Sequence, residues 1–384
     1  MNVDTTKFTA ILDAANSKKR VSGFTHDFYN YPARFSPIFV REIINTFSNP
    51  GDLILDPFMG GGTTLVESKV LKRNSIGFDI SSLAYFVSKV KTTSLSTKEI
   101  EGIIDWSFTF IPSLKCTGEY TRPTRWIEEG YLRNFTDKSI WPIRVLMEKY
   151  IHAVENLDSP PNVKNFLRAA LLKSGQWAID SKRIIPSTDE FRNKLLENIS
   201  EMASAICTIN ESKKIKVICR NKPARKIHLD GTFKKLGSPK LILTSPPYPG
   251  VHVMYHRWQI QGRRETPAPF WIANGLDGHG LSHYTMGDRN QEGLRDYFLN
   301  IKKSFSSISK ICDTNTIIVQ VIAFSEPSWQ LPKYLETMEA AGFTEFDISD
   351  SRMWRVVPNR KWYAHQKGST NSSNELVLFH KLTN

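Results

Sequence analysis

The 384-residue sequence predicts a doubly wound, mostly parallel α/β sheet interrupted by a helical insertion. Three observations carry this. Short apolar strands alternate with amphipathic helices at both ends of the chain. A glycine-rich turn joins the first strand to the helix after it. Residues 92–226, between those stretches, show helical periodicity instead.

The first strand, Asp52 to Leu55, is entered through the turn-forming Asn49-Pro50-Gly51. Gly60-Gly61-Gly62 makes a sharp turn, and Thr63 to Leu71 reads as a helix. A second strand, Ser75 to Phe78, ends at Asp79, and a helix follows from about Ser82 to Val90. Long helices are then expected near Trp141 to Val154, from Val163 to Ile179, and from Ser187, which has capping-box spacing to Glu190. The last of these carries the apolar stripe Phe191, Leu195, Ile199, Met202 and Ile206, which reads as packing rather than as a ligand box. Strands resume at Lys226 to Asp230 and Leu241 to Leu243. After a long loop to Arg289 come a helix (Leu294 to Ile308), a strand (Thr316 to Val321), a helix (Leu331 to Ala341) and a last strand (Glu375 to His380). The expected division is a catalytic sheet domain, residues 1–91 and 227–384, with the insertion at 92–226 as a candidate recognition region.

Composition narrows the function classes. A 40% hydrophobic and 11% aromatic content is that of a globular protein and excludes disordered or fibrous classes. Lys and Arg exceed Asp and Glu by 51 to 38, and a net charge of +13 suits a polyanionic partner. Cys116, Cys207, Cys219 and Cys312 lack metal-ligand spacing and read as buried thiols of a reducing compartment, so no metal is expected. Met1 to Ala10 has no basic segment leading into an apolar one, and no apolar run is long enough for a bilayer. A cytoplasmic protein without a membrane partner is expected.

The glycine turn points to a cofactor site. Glycines allow a sharp turn and close backbone approach, and the next helix aims free N–H groups at whatever sits there. Asp79, ending the next strand, is placed to accept hydrogen bonds from ribose hydroxyls.

Asp56-Pro57-Phe58-Met59-Gly60-Gly61-Gly62-Thr63-Thr64 resembles motif I of the amino-group DNA methyltransferases, of the N4-cytosine and N6-adenine type. Upstream, Tyr31-Pro32-Ala33-Arg34-Phe35 resembles motif X of that group, which implies contact with the methionine part of S-adenosyl-L-methionine. Downstream, Gly77-Phe78-Asp79-Ile80 resembles motif II, and Asp230 the motif III acid beside the adenine. The implied fold is the S-adenosylmethionine-dependent methyltransferase type. The implied cofactor contacts are Tyr31, Pro32, Ala33, Arg34, Asp56, Pro57, Phe58, Gly60, Gly62, Thr63, Thr64, Asp79, Asp230 and Thr244. A dinucleotide site is the rival, but it would need neither the Asp-Pro-Phe lead-in nor the upstream element.

Thr244-Ser245-Pro246-Pro247-Tyr248 follows an apolar strand, at the edge where open α/β sheets bind ligands. An amine conjugated to a base is a poor nucleophile because its lone pair is delocalised. Acceptors for its two hydrogens, here the Ser245 side chain and the Pro246 carbonyl, can turn that lone pair toward a methyl sulfonium. Two prolines hold the local carbonyls in a set direction, and Tyr248 offers a face on which an extruded base can stack. The expected catalytic set is Ser245, Pro246, Pro247 and Tyr248.

Within the resembled family, Ser at the first position implies N4-cytosine enzymes and Asp implies N6-adenine enzymes. The physical contrast is that a hydroxyl can both accept from the amine and donate to a ring nitrogen, whereas a carboxylate can only accept. C5-cytosine chemistry needs a nucleophilic cysteine after proline, and none of the four cysteines follows one. The motif order X, I, II, insertion, III, IV departs from the family, whose nearest standard order places a recognition domain between III and IV.

Two segments compete for reading the substrate. One is the insertion. The other is the loop after Tyr248, which mixes His252, His256, Arg257, Trp258, Arg263, Arg264, Trp271, His283 and Arg289. Arg355, Pro358, Asn359, Arg360, Lys361, Trp362 and Tyr363 occupy the place of motif VIII. The expected DNA-binding cations are Arg257, Arg263, Arg264, Arg289, Arg360 and Lys361. The implied partner is double-stranded DNA, with a cognate restriction endonuclease acting on the same site. The rivals are an N6-adenine DNA enzyme, an RNA guanine-N2 methyltransferase and a catalytically dead DNA-binding scaffold.

Overall fold

The strand read near Asp52 to Leu55 forms as β1 (Leu53–Asp56). It follows α1 (Thr5–Asn16) and α2 (Pro37–Phe47), whose N-terminus is capped by the Ser36 side chain. Then come α3 (Thr63–Val70), β2 (Asn74–Asp79) and α4 (Ser82–Thr92). The insertion supplies α5 (Thr97–Ser113), α6 (Thr124–Glu128), α7 (Trp141–Asn156), α8 (Pro161–Ile179) and α9 (Thr188–Asn210). Thereafter follow β3 (Val217–Asn221), α10 (Thr232–Leu236), β4 (Leu241–Thr244), the hairpin β5 (Trp258–Ile260) and β6 (Arg264–Thr266), and α11 (Ala268–Ala273). The chain closes with α12 (Gln291–Ser309), β7 (Ile317–Ile322), α13 (Pro327–Glu339), β8 (Phe343–Glu345), β9 (Met353–Val356) and β10 (Asn374–Leu382). This computed structural model describes residues 5–17, 19, 21–32, 35–135, 137–210, 215–250, 257–261, 264–277, 286–287, 290–348, 352–356 and 374–383.

The main sheet has the order β3-β2-β1-β4-β7-β10-β8, with β9 paired to β10. Strands β1, β2, β3, β4 and β7 run parallel, and β10 is antiparallel to its neighbours. The sheet is thus doubly wound and mostly parallel. Alternate side chains go to opposite faces. Ile54, Leu241 and Leu243 pack with α1 and α2, while Leu53, Leu55 and Ile242 pack with α12 and α13. Strands covered on both sides read as near-continuous apolar runs, which is why β1, β4 and β7 were legible.

One strand was misplaced. The strand expected at Lys226 to Asp230 is a 3-10 helix, Ala224–Leu229, and the sheet resumes earlier at β3, paired with β2. β3 is an edge strand, only partly buried and without a clear apolar run, so periodicity did not reveal it. The capping box at Ser187 and Glu190 forms, and the stripe from Phe191 to Ile206 is buried. A second box, Ser96 with Glu99, starts α5.

The insertion does not pack by itself. One hydrophobic cluster joins α5, α7, α8 and α9 to α4, to Phe28, Tyr29 and Tyr31, and to β5 and α11 from the loop after Tyr248. Arg168 on α8 donates to the carbonyls of Trp271 and Ile272, and the Ser181 N–H donates to Gln259. The insertion and the described part of the loop after Tyr248 therefore form one body. Among the described residues no helix is long and apolar enough to cross a membrane. Cys116 and Cys207 are exposed rather than buried, while burial pushes Cys219 and Cys312 up to about 12.

Candidate active site

Sheet order reverses between β1 and β4, and the C-terminal ends of adjacent parallel strands open a crevice at such a point. Asp56 ends β1, Asp79 ends β2 and Thr244 ends β4. The Thr244 hydroxyl donates to Asp56 Oδ1 at 2.7 Å, so the glycine turn and the Ser-Pro-Pro-Tyr segment meet across 188 residues of sequence.

The turn is held from several sides. Gly60 and Gly62 have φ of +44° and +78°, in the left-handed region that side chains disfavour. The Gly60 N–H donates to Asp79 Oδ2 at 3.0 Å, and the Ser81 N–H donates to Asp79 Oδ1 at 2.8 Å. Ser88 and Lys91, both on α4, donate to the carbonyls of Gly60 and Gly61. A Cβ on Gly61 would lie 2.9 Å from that of Tyr31, and one on Gly62 would lie 2.6 Å from the Ser88 hydroxyl. Gly62→Ala is therefore expected to lower the melting temperature by several degrees. The left-handed φ alone costs about 1–2 kcal/mol, and the displaced Ser88 also loses its bond to Gly60. Calorimetric melting checks this.

Burial pushes the carboxyls of Asp56 and Asp79 up to about 6, and neither is ion-paired among the described residues. The pH consequences have opposite signs. Between the ordinary carboxylate range and about 6, the folded chain holds protons that the unfolded chain has lost. Stability of the unliganded protein should fall as pH rises through that window. A ligand that donates to ionised Asp79 should instead bind fully above about 6 and weaken as pH falls below it. Parallel calorimetry and melting from pH 5 to 8 would detect both trends, and an unchanged cofactor affinity at low pH would count against Asp79.

On the other side of the crevice, the Ser245 hydroxyl lies 3.0 Å from the Val321 carbonyl and 3.3 Å from the Tyr248 hydroxyl. Tyr248 in turn donates to Glu375 Oε1 at 2.7 Å, and Arg355 Nε lies 2.9 Å from Glu375 Oε2. The Pro247 carbonyl accepts from Tyr297 on α12 at 2.9 Å. Sequence reading missed Glu375 and Tyr297. An acid opening an otherwise apolar last strand was the available signal for Glu375. It also missed the buried Glu67, which accepts from Arg41 and pairs with His26, tying α3 to α2 and to the segment before Tyr31.

The remaining expected site residues divide clearly. Tyr31 is buried against Gly61, while Ala33 and Arg34 lie outside the described residues. Pro57, Phe58, Thr63 and Thr64 lie in or beside the turn. Asp230 is already engaged, with Arg220 donating to Oδ2 and the Thr232 N–H to Oδ1. Burial by itself would raise its carboxyl, but the Thr232 and Arg220 contacts prevail and hold it at about 2. Arg257 does not face outward; it pairs with Asp277 at 2.7 Å, and both side chains are nearly buried. Trp258 and Trp271 are 1% exposed and belong to the core, not to a base-reading surface. Arg264 is exposed on β6, whereas Arg263, Arg289, Arg360 and Lys361, with His252, His256 and His283, lie outside the described residues.

A sequence family described as DNA methylase matches residues 3–89, the stretch from α1 through the glycine turn to α4. Over those residues the chain is similar to that family. Similar curated proteins match over comparably short or shorter stretches. The type II methyltransferase M.MjaII of Methanocaldococcus jannaschii is 35% identical over 88 residues, 23% of this chain and 17% of that protein. M.BsoBI of Geobacillus stearothermophilus is 40% identical over 68 residues, 17% and 13% respectively. M1.MboII of Moraxella bovis is 51% identical over 43 residues, 11% and 16%. The chain thus spans less than a fifth of the length of these relatives. Among solved structures, TrmN of Thermus thermophilus superposes with a TM-score of 0.34 at 10% identity, covering 94% of this chain and 52% of that one. A superposition of that quality bears on neither fold nor function.

The cofactor of the methylase family is S-adenosyl-L-methionine, and the crevice fits it. The turn leaves no room for side chains, and α3 presents its N-terminal N–H groups there. Two carboxyls beside it, neither ion-paired among the described residues, suit a ligand with ribose hydroxyls and a positive sulfonium.

Proposed function

We propose that this chain is a DNA methyltransferase that transfers the methyl group of S-adenosyl-L-methionine to N4 of cytosine, within a restriction-modification setting. The observation that carries the reading is the 2.7 Å bond between Thr244 and Asp56, which joins the methylase-family turn to Ser245-Pro246-Pro247-Tyr248 in one crevice. The DNA methylase family match and the type II methyltransferase names of the relatives support the DNA substrate and the restriction-modification setting.

When bound, the cofactor supplies an electrophilic methyl on a sulfonium. Asp79 holds its ribose, and Tyr31, Gly60 and Gly62 shape its place; Asp230 is left out of this set because Arg220 and Thr232 occupy its carboxylate. Ser245 and the Pro246 carbonyl accept from the target amine and direct its lone pair. Tyr248 packs against the extruded base.

One observation favours N6 of adenine as the second reading. The single Ser245 proton is directed at the Val321 carbonyl or the Tyr248 oxygen, which leaves the hydroxyl an acceptor toward substrate. Donation to a ring nitrogen, the feature that would distinguish Ser from Asp, is thereby contested. The test is direct: supply labelled cofactor with DNA and, separately, RNA, digest to nucleosides and separate them by mass. Label in N4-methylcytosine supports the proposal. Label in N6-methyladenosine moves it to adenine, and label in RNA guanine moves it to the RNA class.

The DNA-reading surface is proposed to be the body formed by the insertion together with the β5–β6 hairpin. Each phosphate neutralised releases counterions, so the slope of log affinity against log salt counts such contacts. Replacing Arg263 and Arg264 by alanine should flatten that slope, whereas Arg257→Met should leave it and lower stability by removing the Arg257–Asp277 pair. An unaltered slope in the double variant would place the phosphates on the insertion helices instead.

A further inference from the structure

Glu375 lies far from every motif in sequence, on β10 at the far side of β7, yet its carboxylate reaches the Ser-Pro-Pro-Tyr segment. It is 4% exposed, and burying a carboxylate costs free energy unless its lone pairs are used. Oε1 accepts the Tyr248 proton at 2.7 Å, and Oε2 pairs with Arg355, its register partner on β9, at 2.9 Å. Because the Tyr248 proton goes to Glu375, the Tyr248 oxygen turns its lone pairs back toward Ser245, 3.3 Å away.

We infer that Glu375 is a positioning residue for methyl transfer, acting through Tyr248 on Ser245. Its negative charge fixes the sense of the hydrogen bonds, so that Ser245 and Tyr248 both present oxygen rather than hydrogen toward the crevice. The amine nitrogen becomes positive as it gains the methyl group, and oxygens oriented in advance stabilise that charge without reorganising. The bond also restrains the Tyr248 ring, so its face keeps one direction. Arg355 balances the buried charge and holds the carboxylate between strand and site. This role rests on the methyltransferase reading above, but the orientation of Tyr248 can be measured without turnover.

Glu375→Gln preserves shape and removes the charge, and Tyr248→Phe removes the hydroxyl alone. With DNA as substrate, each is expected to lower kcat by about ten- to a hundredfold, the range of a lost charge-assisted hydrogen bond. Cofactor and DNA dissociation constants should stay near those of the parent. The double variant should be no worse than the worse single one, because both changes break the same relay. Losses that multiply, or an unchanged kcat in Glu375→Gln, would overturn the inference. The second readout is the ring-carbon resonance of Tyr248 bearing the hydroxyl, in protein labelled at that carbon and assigned with Tyr248→Phe. It should move in Glu375→Gln, and a stationary resonance would overturn the inference even if the parent protein methylated no DNA. Should Glu375→Gln fail to fold beside an uncompensated Arg355, Glu375→Gln with Arg355→Met restores neutrality and serves in its place.

Discussion

Asp79→Ala is expected to raise the dissociation constant for S-adenosyl-L-methionine by at least about a hundredfold, since two charge-assisted hydrogen bonds to a ribose, at about 1.5–3 kcal/mol each, together come to about 3 kcal/mol or more. The structure adds a second reason. Asp79 also accepts from the N–H groups of Gly60 and Ser81, so its removal frees the turn that the cofactor must meet. Asp79→Asn separates the two effects, because one amide oxygen can keep one of those backbone bonds while the charge is gone. Its affinity should fall between parent and alanine variant. Titration calorimetry measures all three, and circular dichroism confirms that each is folded. Parent-like affinity in Asp79→Ala would remove this residue from the site.

Ser245→Ala should lower turnover by about a hundred- to a thousandfold, the effect of removing one oriented group from a developing charge. DNA affinity should hardly change, because the contact strengthens only as the amine becomes pyramidal. The fold should survive. The hydroxyl is partly buried and its loss leaves the Val321 carbonyl without one partner, which costs about 1 kcal/mol. Single-turnover kinetics with saturating DNA, beside equilibrium binding, separates the two quantities. A rise in KM with unchanged kcat would make Ser245 a ground-state contact and return the burden of catalysis to the Pro246 carbonyl.

What could be read from sequence, and what could not, follows from how far each property reaches along the chain. The strands β1, β4 and β7 announced themselves because burial on both faces favours near-continuous apolar runs. The glycine turn did so because left-handed backbone at Gly60 and Gly62 excludes side chains, and the capping box at Ser187 and Glu190 because its partners are three residues apart. Each is a local constraint, and together they determined the sheet class, the cofactor turn and the Ser-Pro-Pro-Tyr segment. Pairings between distant residues leave no such trace. Arg257 and Trp258 look like a nucleic-acid surface in sequence, yet one pairs with Asp277 and the other is core, because β5 and α11 pack on α8. Glu375 is separated from Tyr248 by 127 residues, and only the antiparallel insertion of β10 beside β7 brings it to the hydroxyl. The kind of crevice was thus written in short-range stereochemistry and burial, while the charges that orient its groups were decided by strand order in three dimensions.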